Sequence, residues 1–475
     1  MAALQRVDVQ ALDPARLTPV IGAERYAKFE AIAATGRALL DGRTVLNVNS
    51  TAAGGGVAEM LISLLAYVRG AGIDTQWDVI EGTPEFFEIT KRLHNHLYNS
   101  PGDGGPLASH ERAQYEATLA DNVPALLEDV RSGDIVLLHD PQTAGLAARV
   151  KEAGATVVWR CHVGVDYMNE QAELGWEFLR PYLDPVDAFV FSRAQFAPQW
   201  LDHTRLHVIP PSIDPFAAKN EPMAPEDAVL VLQYVGILDG GGEQPLATFT
   251  RRDGSRARIN RHADILQTGP APPVDAPLVT QVSRWDRMKD MAGVMAAFSE
   301  YVTAEEVHLV LAGPNVGAVT DDPEGAMILH QCMDAWRQLP PNSRHRIHLA
   351  CIPMTDSDEG SAIVNALQRH SAIVTQKSIA EGFGLTVAEA MWKTRPVVAS
   401  AVGGISDQIV SGVHGLLIDD PHDLGAFAEA LNRLLDDGAY AEQLADAGRQ
   451  RAVDEFLGDR HLGQYADLFM QLESS

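Results

Sequence analysis

The sequence predicts an α/β protein built from two doubly wound parallel-sheet domains, and three observations carry that prediction. From residue 44 to about 210, short apolar segments of strand length alternate with helical segments. Between 220 and 277 the alternation breaks, and from 278 a second alternating block runs to about 419. Such alternation is the pattern of a parallel sheet covered by helices on both faces. A chain of 475 residues is also longer than one hydrophobic core usually serves. Two such halves joined by a linker predict a cleft, with ligands lying beyond the carboxyl ends of the strands.

Taken in order, a polar leader precedes a helix over 23–40, and TVLNVNS (44–50) is the first strand. It runs into TAAGGGVAEML, where Gly54, Gly55 and Gly56 make a turn. Val57, Met60, Leu61, Leu64, Leu65 and Val68 then recur at helical spacing. Strand, triple glycine and helix bring backbone close to a ligand, or simply make a tight turn. The spacing fits neither a dinucleotide fingerprint nor a phosphate P-loop. TQWDVI, DIVLLHD, TVVWRCH, AFVFS and LHVIP are the next strands. Polar residues gather at strand ends: Asn49 and Ser50; Glu81; His139, Asp140 and Gln142; Arg160, His162 and Asp166. Singly each is a cap or a satisfied polar group, Asp140 before Pro141 being a natural N-cap. Their shared location favours a site.

Asp253-Gly254 between alternating segments signals a hairpin inside an insert over about 240–267. The hairpin is a decoration or an oligomer contact, a homodimer being the assembly in view. QTGPAPPVDAP (267–277) reads as an extended inter-domain linker. These signals divide the chain into a first domain over 1–270, a second over 271–455 and a closing helix over 456–475 that crosses back toward the first. LVTQVS, VHLVLAG, RIHLACI, AIVTQ, PVVAS and GLLID are the second set of strands, followed by helices near 421–437, 440–456 and 459–474.

Composition narrows the partners. A net charge of −27 argues against nucleic acid and anionic membrane, which need basic surface. Three cysteines fit a reducing compartment without a disulfide framework, and no Cys/His cluster has metal-site spacing. No run reaches 18 apolar residues and the N-terminus has no apolar export core, so the expected location is cytoplasmic.

The chemistry concentrates in SIAEGFGLTVAEAMW (378–392). Glu381 and Glu389 stand eight positions apart, with Gly382, Phe383, Gly384 and Leu385 forming a turn between strand and helix. Free backbone N–H groups and a helix N-terminus there suit an anion. Glu-x7-Glu alone is common and reads more readily as two solvated glutamates. SRWDRMKD adds Arg284 and Lys289 just after the first strand of the second half. Alone these are a solvated pair opposing Asp286 and Asp290. Combined with the glycine turn they make a diphosphate clamp.

SRWDRMKD, AGP (312–314), EGFGLTVAEAM and VVASAVGGISDQIVSGVHGLLID resemble the donor half of retaining GT-B glycosyltransferases of the glycogen-synthase and sucrose-synthase type. NVNSTAAGGGVAEML, WDVIEGTPEFFEITKRLHNHLY, HDPQTAGL, WRCHVGVD and IPPSIDP narrow the resemblance to the trehalose glycosyltransferring synthases and the related trehalose phosphorylases. The insert departs from that family's core. The resemblance implies that Arg284 and Lys289, with backbone amides near Gly382, Phe383, Gly384 and Leu385, hold the donor diphosphate. Glu389 would bind ribose hydroxyls, and Glu381 and His162 would lie at the transferred glucose. Gly55 and Gly56, with Gly54, would let backbone approach the reacting centre. Asp140, Gln142, Arg160 and Glu81, with Lys91 and Asn95, would bound the acceptor pocket.

The implied reaction is transfer of glucose from a nucleoside-diphosphate glucose to glucose, giving α,α-trehalose, reversible in principle. No cofactor is required, and magnesium is at most a stimulant. Loss of the nucleoside diphosphate is stabilised by Arg284, Lys289 and a helix N-terminus. Same-face attack is favoured over a double displacement for which Glu381 is the one nameable nucleophile. The alternatives are a trehalose phosphorylase, another retaining transferase with the same donor, and a silent sugar-nucleotide binding module. Uridine, adenosine and guanosine stay open as the base, whose slot is expected near residues 313–315 and 351–354.

Overall fold

The computed structural model describes residues 4–52, 55–240, 246–316 and 324–474. The chain forms two compact units: Met1–Ser212 with Phe456–Ser475, and Ile213–Thr320 with Glu324–Glu455.

The sheet of the first unit contains β1 (Gln5–Arg6), β2 (Val45–Asn49), β3 (Thr75–Val79), β4 (Ile135–His139), β5 (Thr156–Cys161), β6 (Ala188–Phe191) and β7 (Leu206–Val208). Their order is β1-β3-β2-β4-β5-β6-β7, with every pairing parallel except the β1 edge. Both faces are buried, so alternate residues serve different cores. Leu46, Val48, Val136, Leu138, Val157 and Trp159 join Phe86, Tyr115, Trp176 and Phe178 on one face. Val45, Ile135, Leu137, Val158 and Val190 meet Leu40, Leu468 and Phe469 on the other. The Gly458–Ser474 helix thus completes the first unit's core. Arg25 donates to Asp459 at 2.5 and 2.8 Å, and Arg460 to the carbonyls of Pro210 and Pro211 at 2.6 and 2.7 Å.

In the second unit, β8 (Thr248–Thr250) and β9 (Arg256–Arg258) form a hairpin. The main sheet comprises β10 (Asp264–Leu266), β11 (Leu278–Val282), β12 (His308–Pro314), β13 (Ile347–Ile352), β14 (Ile373–Gln376), β15 (Val397–Ser400) and β16 (Leu416–Ile418). Its order is β10-β13-β12-β11-β14-β15-β16, parallel apart from β10. In both units the winding reverses beside the first parallel strand, between β2 and β4 and between β11 and β14. Such reversal points open a crevice at the carboxyl ends of the strands.

Residues 213–270, read from sequence as the end of the first domain, pack with the second unit. The reason is burial. Ala228, Val231, Leu232 and Val235 of the Pro225–Val235 helix share a core with Phe249, Leu278, Val310, Ala350 and Ile363. β10 adds an antiparallel edge through Asp264↔Cys351 and Leu266↔Leu349. The Pro-rich segment 267–277 therefore lies within this unit instead of between domains. The expected hairpin is present, with Gly254 at φ +85° and Arg251 N–H donating to Ser255 O at 2.8 Å. It is pinned to the unit by Arg251–Asp356 and Arg261–Glu359 ion pairs. Residues 241–245 of the insert lie outside the described residues. No described helix is long and apolar enough to cross a membrane.

Candidate active site

The reversal point of the second unit is built by the segments following β11 and β14. After β11 the chain makes a 3-10 turn, Arg287–Lys289, capped by Asp286, whose carboxylate accepts the Met288 N–H at 2.8 Å. After β14 it runs through residues 377–384 into the Leu385–Trp392 helix. Gln281, fully buried on β11, stitches the two segments: its amide donates to Lys289 O at 2.7 Å and its oxygen accepts the Lys377 N–H at 3.0 Å. Ile379 N–H donates to Met288 O at 2.7 Å, and buried Lys377 pairs with Asp290. The turn that carries Lys289 is thus fixed against the turn that carries Glu381. Lys289 Nζ lies 2.5 Å from Glu381 Oε2, which also accepts from Ser378 Oγ at 3.3 Å. Arg284, half-buried, sits 3.9 Å from Asp286.

Gly384 is the N-cap, in the left-handed region at φ +88°, and supplies no capping side chain. The N–H groups of Leu385 and Thr386 have no acceptor among the described residues. Four N–H groups are orphaned at any helix start, so an anion is the natural cap here. The turn is supported from beneath. A Cβ on Gly404 would come 2.6 Å from Phe383 Cα and 2.7 Å from Gly382 O, so only glycine permits that approach. Gln408 Nε2 donates to Phe383 O at 2.5 Å.

Glu389 is buried on the same helix. Its Oε1 lies 3.4 Å from Lys219 Nζ, whereas Oε2 is enclosed and has no hydrogen-bond partner. A buried carboxylate oxygen without a donor costs free energy unless something brings one. Lys219 was not identified from sequence. It lies in an unremarked FAAKN stretch some 170 residues before its partner, and only the tertiary fold joins them.

In the first unit the equivalent point gathers the residues after β2, β4 and β5. The Gly56–Gly70 helix begins at Gly55 with no side-chain cap, and the N–H groups of Gly56, Val57 and Ala58 have no acceptor among the described residues. Gly54 lies outside the described residues. Asp140 follows β4 at φ +64°, a strained conformation for a residue with a Cβ. It does not act as the N-cap its sequence suggested. Its Oδ1 accepts the His162 N–H at 2.7 Å and its carbonyl accepts from Trp159 Nε1 at 3.1 Å. Burial, opposed by that hydrogen bond and by Arg160, pushes its carboxyl up to about 7. Gln142 presents a buried side-chain oxygen with no donor.

His162 is half-buried, its ring 5.5 Å from that of His139 and nearly parallel to it. Arg160 is fully buried, with Nε 3.4 Å from His162 Nδ1 and Nη2 3.2 Å from Ser192 Oγ. Burial and the Arg160 charge hold His139 down to about 3 and His162 well below the usual histidine range. Glu81 is exposed, and buried Asn122 clamps its backbone, accepting its N–H and donating to its carbonyl, both at 2.9 Å. Lys91 and Asn95 are buried on the Pro84–Leu97 helix.

The second unit therefore brings Lys289, Glu381 and the 382–385 turn together. The first brings Asp140, Arg160 and His162 together. Asn47, in the middle of β2, accepts from His139 and was passed over because it sits inside a strand. Its one signal was polarity at a position flanked by Leu46 and Val48. Among the described residues, no three His, Cys, Asp or Glu side chains converge as metal ligands would.

Residues 47–198 match the family model described as trehalose synthase, N-terminal domain, and residues 265–451 match glycosyl transferases group 1. A trehalose synthase of Rubrobacter xylanophilus is 33% identical over 477 aligned residues, covering 99% of each chain. One from Pyrococcus horikoshii is 31% identical over 95% of each. A trehalose phosphorylase of Pleurotus pulmonarius is 26% identical over 86% of this chain and 54% of its own length. Among solved structures, a sucrose-phosphate synthase of Thermosynechococcus elongatus superposes with a TM-score of 0.63 at 19% identity, covering 91% of this chain and all of that one. An α,α-trehalose 6-phosphate synthase of Burkholderia multivorans gives 0.64 at 15% identity, over 91% and 99% of the two chains. These last two speak to fold alone, and the fold is GT-B. By its similarity to the synthases along nearly its whole length, the chain belongs to the trehalose synthase family.

Proposed function

We propose that this protein transfers glucose from a nucleoside-diphosphate glucose to free glucose, forming α,α-trehalose with retention at the anomeric carbon. The observation that carries the proposal is the donorless buried Oε2 of Glu389. It stands on the same helix whose first N–H groups lack acceptors. A ribose hydroxyl supplies the missing donor and a diphosphate supplies the missing acceptor, so one nucleotide answers both deficits. Inorganic phosphate would answer only the second. The trehalose product is supported by the family to which the chain belongs.

In this reading Arg284, Lys289 and the Leu385 and Thr386 N–H groups neutralise the charge that builds on the leaving diphosphate. Glu381 and His162 serve the transferred sugar, and Gly55 and Gly56 let backbone come near it. Gln142, Asp140 and Glu81 meet the acceptor, the buried oxygen of Gln142 taking a sugar hydroxyl. The departing phosphate oxygen accepts the proton of the attacking hydroxyl on the same face, without a glycosyl-enzyme intermediate. No metal is assigned a step.

The test is incubation with glucose and, separately, each nucleoside-diphosphate glucose or glucose 1-phosphate, with products followed by NMR. Trehalose from a nucleotide donor is expected. Trehalose from glucose 1-phosphate alone would make the protein a phosphorylase. No donor turnover at all would make it a binding module.

A further inference from the structure

We propose that Arg160, His139 and Asn47 are positioning residues for His162, forming one hydrogen-bond chain that fixes its tautomer and keeps its ring neutral beside the transferred sugar. The inference rests on the reading above, which gives His162 to that sugar.

The chain has a single self-consistent direction. A guanidinium can only donate, so His162 Nδ1, 3.4 Å from Arg160 Nε, is the acceptor. The His162 proton then lies on Nε2 and is donated to His139 Nδ1 at 3.2 Å. His139 in turn carries its proton on Nε2 and donates it to Asn47 Oδ1 at 3.0 Å. One donor-only group at the head thus assigns both tautomers. Ser192 holds the head of the chain from its other side, and Asp140 holds the His162 backbone N–H. Arg160, His139 and Asn47 are 0, 2 and 3% exposed. Behind Asn47 and His139 lies a mostly apolar cavity of about 90 Å3, lined by Met60, Leu64, Leu65 and Phe469, with the hydroxyls of Thr75 and Tyr465 also on its wall and that of Thr75 already donating to Val45 O at 2.7 Å.

The last link matters because it is an amide. Asn47 Oδ1 accepts a hydrogen bond but carries no full negative charge, so it favours an imidazolium far less than a carboxylate in its place would. Arg160, His461 and the second imidazole add repulsion, and the facing acidic group, Asp140, is itself pushed toward neutrality by burial. A glucosyl group losing its phosphate develops positive charge, and an imidazolium next to it would oppose the reaction.

The test is long-range 1H–15N NMR of the histidine rings in the full-length protein from pH 5 to 8, assigned with His162→Gln and His139→Gln. It is paired with transfer rates of Asn47→Asp and Asn47→Leu over the same range. Expected are Nε2–H tautomers for both rings with no titration in the parent. Asn47→Asp should convert His139 to imidazolium and lower transfer roughly tenfold at pH 6 relative to pH 8, whereas Asn47→Leu gains no such acid limb. A His162 that titrates in the parent or carries its proton on Nδ1 overturns the chain. An imidazolium in Asn47→Asp with an unchanged pH profile overturns its role in transfer. The ring readout needs no turnover, so failure of the donor or acceptor assignment is seen separately, as absence of trehalose from the parent.

Discussion

Replacing Lys289 with methionine removes one charge and little volume. In the structure Lys289 Nζ is 2.5 Å from Glu381 Oε2, and its side chain is 15% exposed, in a partly screened setting. A unit charge about 4 Å from another, at an effective dielectric of about 20, interacts by roughly 4 kcal/mol. Glu381 already claims part of that field, so the share that grows as the diphosphate leaves is about 3 kcal/mol, or two orders of magnitude in rate. The substitution also strips Glu381 of its ammonium and leaves it the 3.3 Å bond from Ser378. The assay is initial-rate kinetics with varied nucleotide-sugar at saturating glucose, with calorimetric titration of the nucleoside diphosphate alongside. We expect kcat/KM for the donor to fall roughly 100- to 1,000-fold, with glucose KM held within about twofold. Lys289→Arg should recover part of the loss, since it restores charge with different geometry. A fall of less than about fivefold in Lys289→Met would refute the diphosphate assignment, because no screened geometry makes that charge so small a contributor.

Glu389→Ala should weaken nucleoside-diphosphate binding by about 10- to 100-fold, the worth of a charge-assisted hydrogen bond, with melting temperature checked to separate folding from binding. Asp140, with a carboxyl pushed up to about 7 by burial, binds its proton more tightly in the folded state than unfolded. Stability from this group is therefore present at low pH and lost as pH rises toward 7. Denaturation of the parent and of Asp140→Asn between pH 4 and 8 should show that slope in the parent only. Asp140→Ala should raise the glucose requirement more than the donor requirement, read from the two KM values. Asn122→Ala orphans the N–H and carbonyl of Glu81 and should cost about 2–3 kcal/mol in urea unfolding.

The periodic signals in the sequence correspond closely to the elements formed. Each apolar run identified as a strand is one, because strands of a parallel sheet are buried on both faces and read as continuous apolar runs. Strand order was not readable, since it depends on which crossovers pack, and the crevice positions follow from order. Residues 225–235 were assigned to the wrong half for a related reason. Their apolar side chains specify burial but not the sheet that buries them, and the Pro-rich segment after them imitates a linker. β10, three residues long, has too few alternations to register as a strand. At the site, Glu381, Lys289 and the 382–385 turn were legible because a strand end, a glycine turn and a charge are close in sequence. Lys219, Asn47 and Asn122 were not, since none stands at such a junction and only the tertiary fold ties each to its partner.

The Gly458–Ser474 helix has a consequence for synthesis. It covers Leu137, Val158 and Val190, which leave the ribosome long before it does. At about 5–20 residues per second, that face of the first sheet waits on the order of tens of seconds for its cover. The described residues of the second unit all fall between 213 and 455, so that unit can close first. Nascent chains arrested before residue 456 should bind apolar dyes and holdase chaperones, and release of the final helix should abolish both.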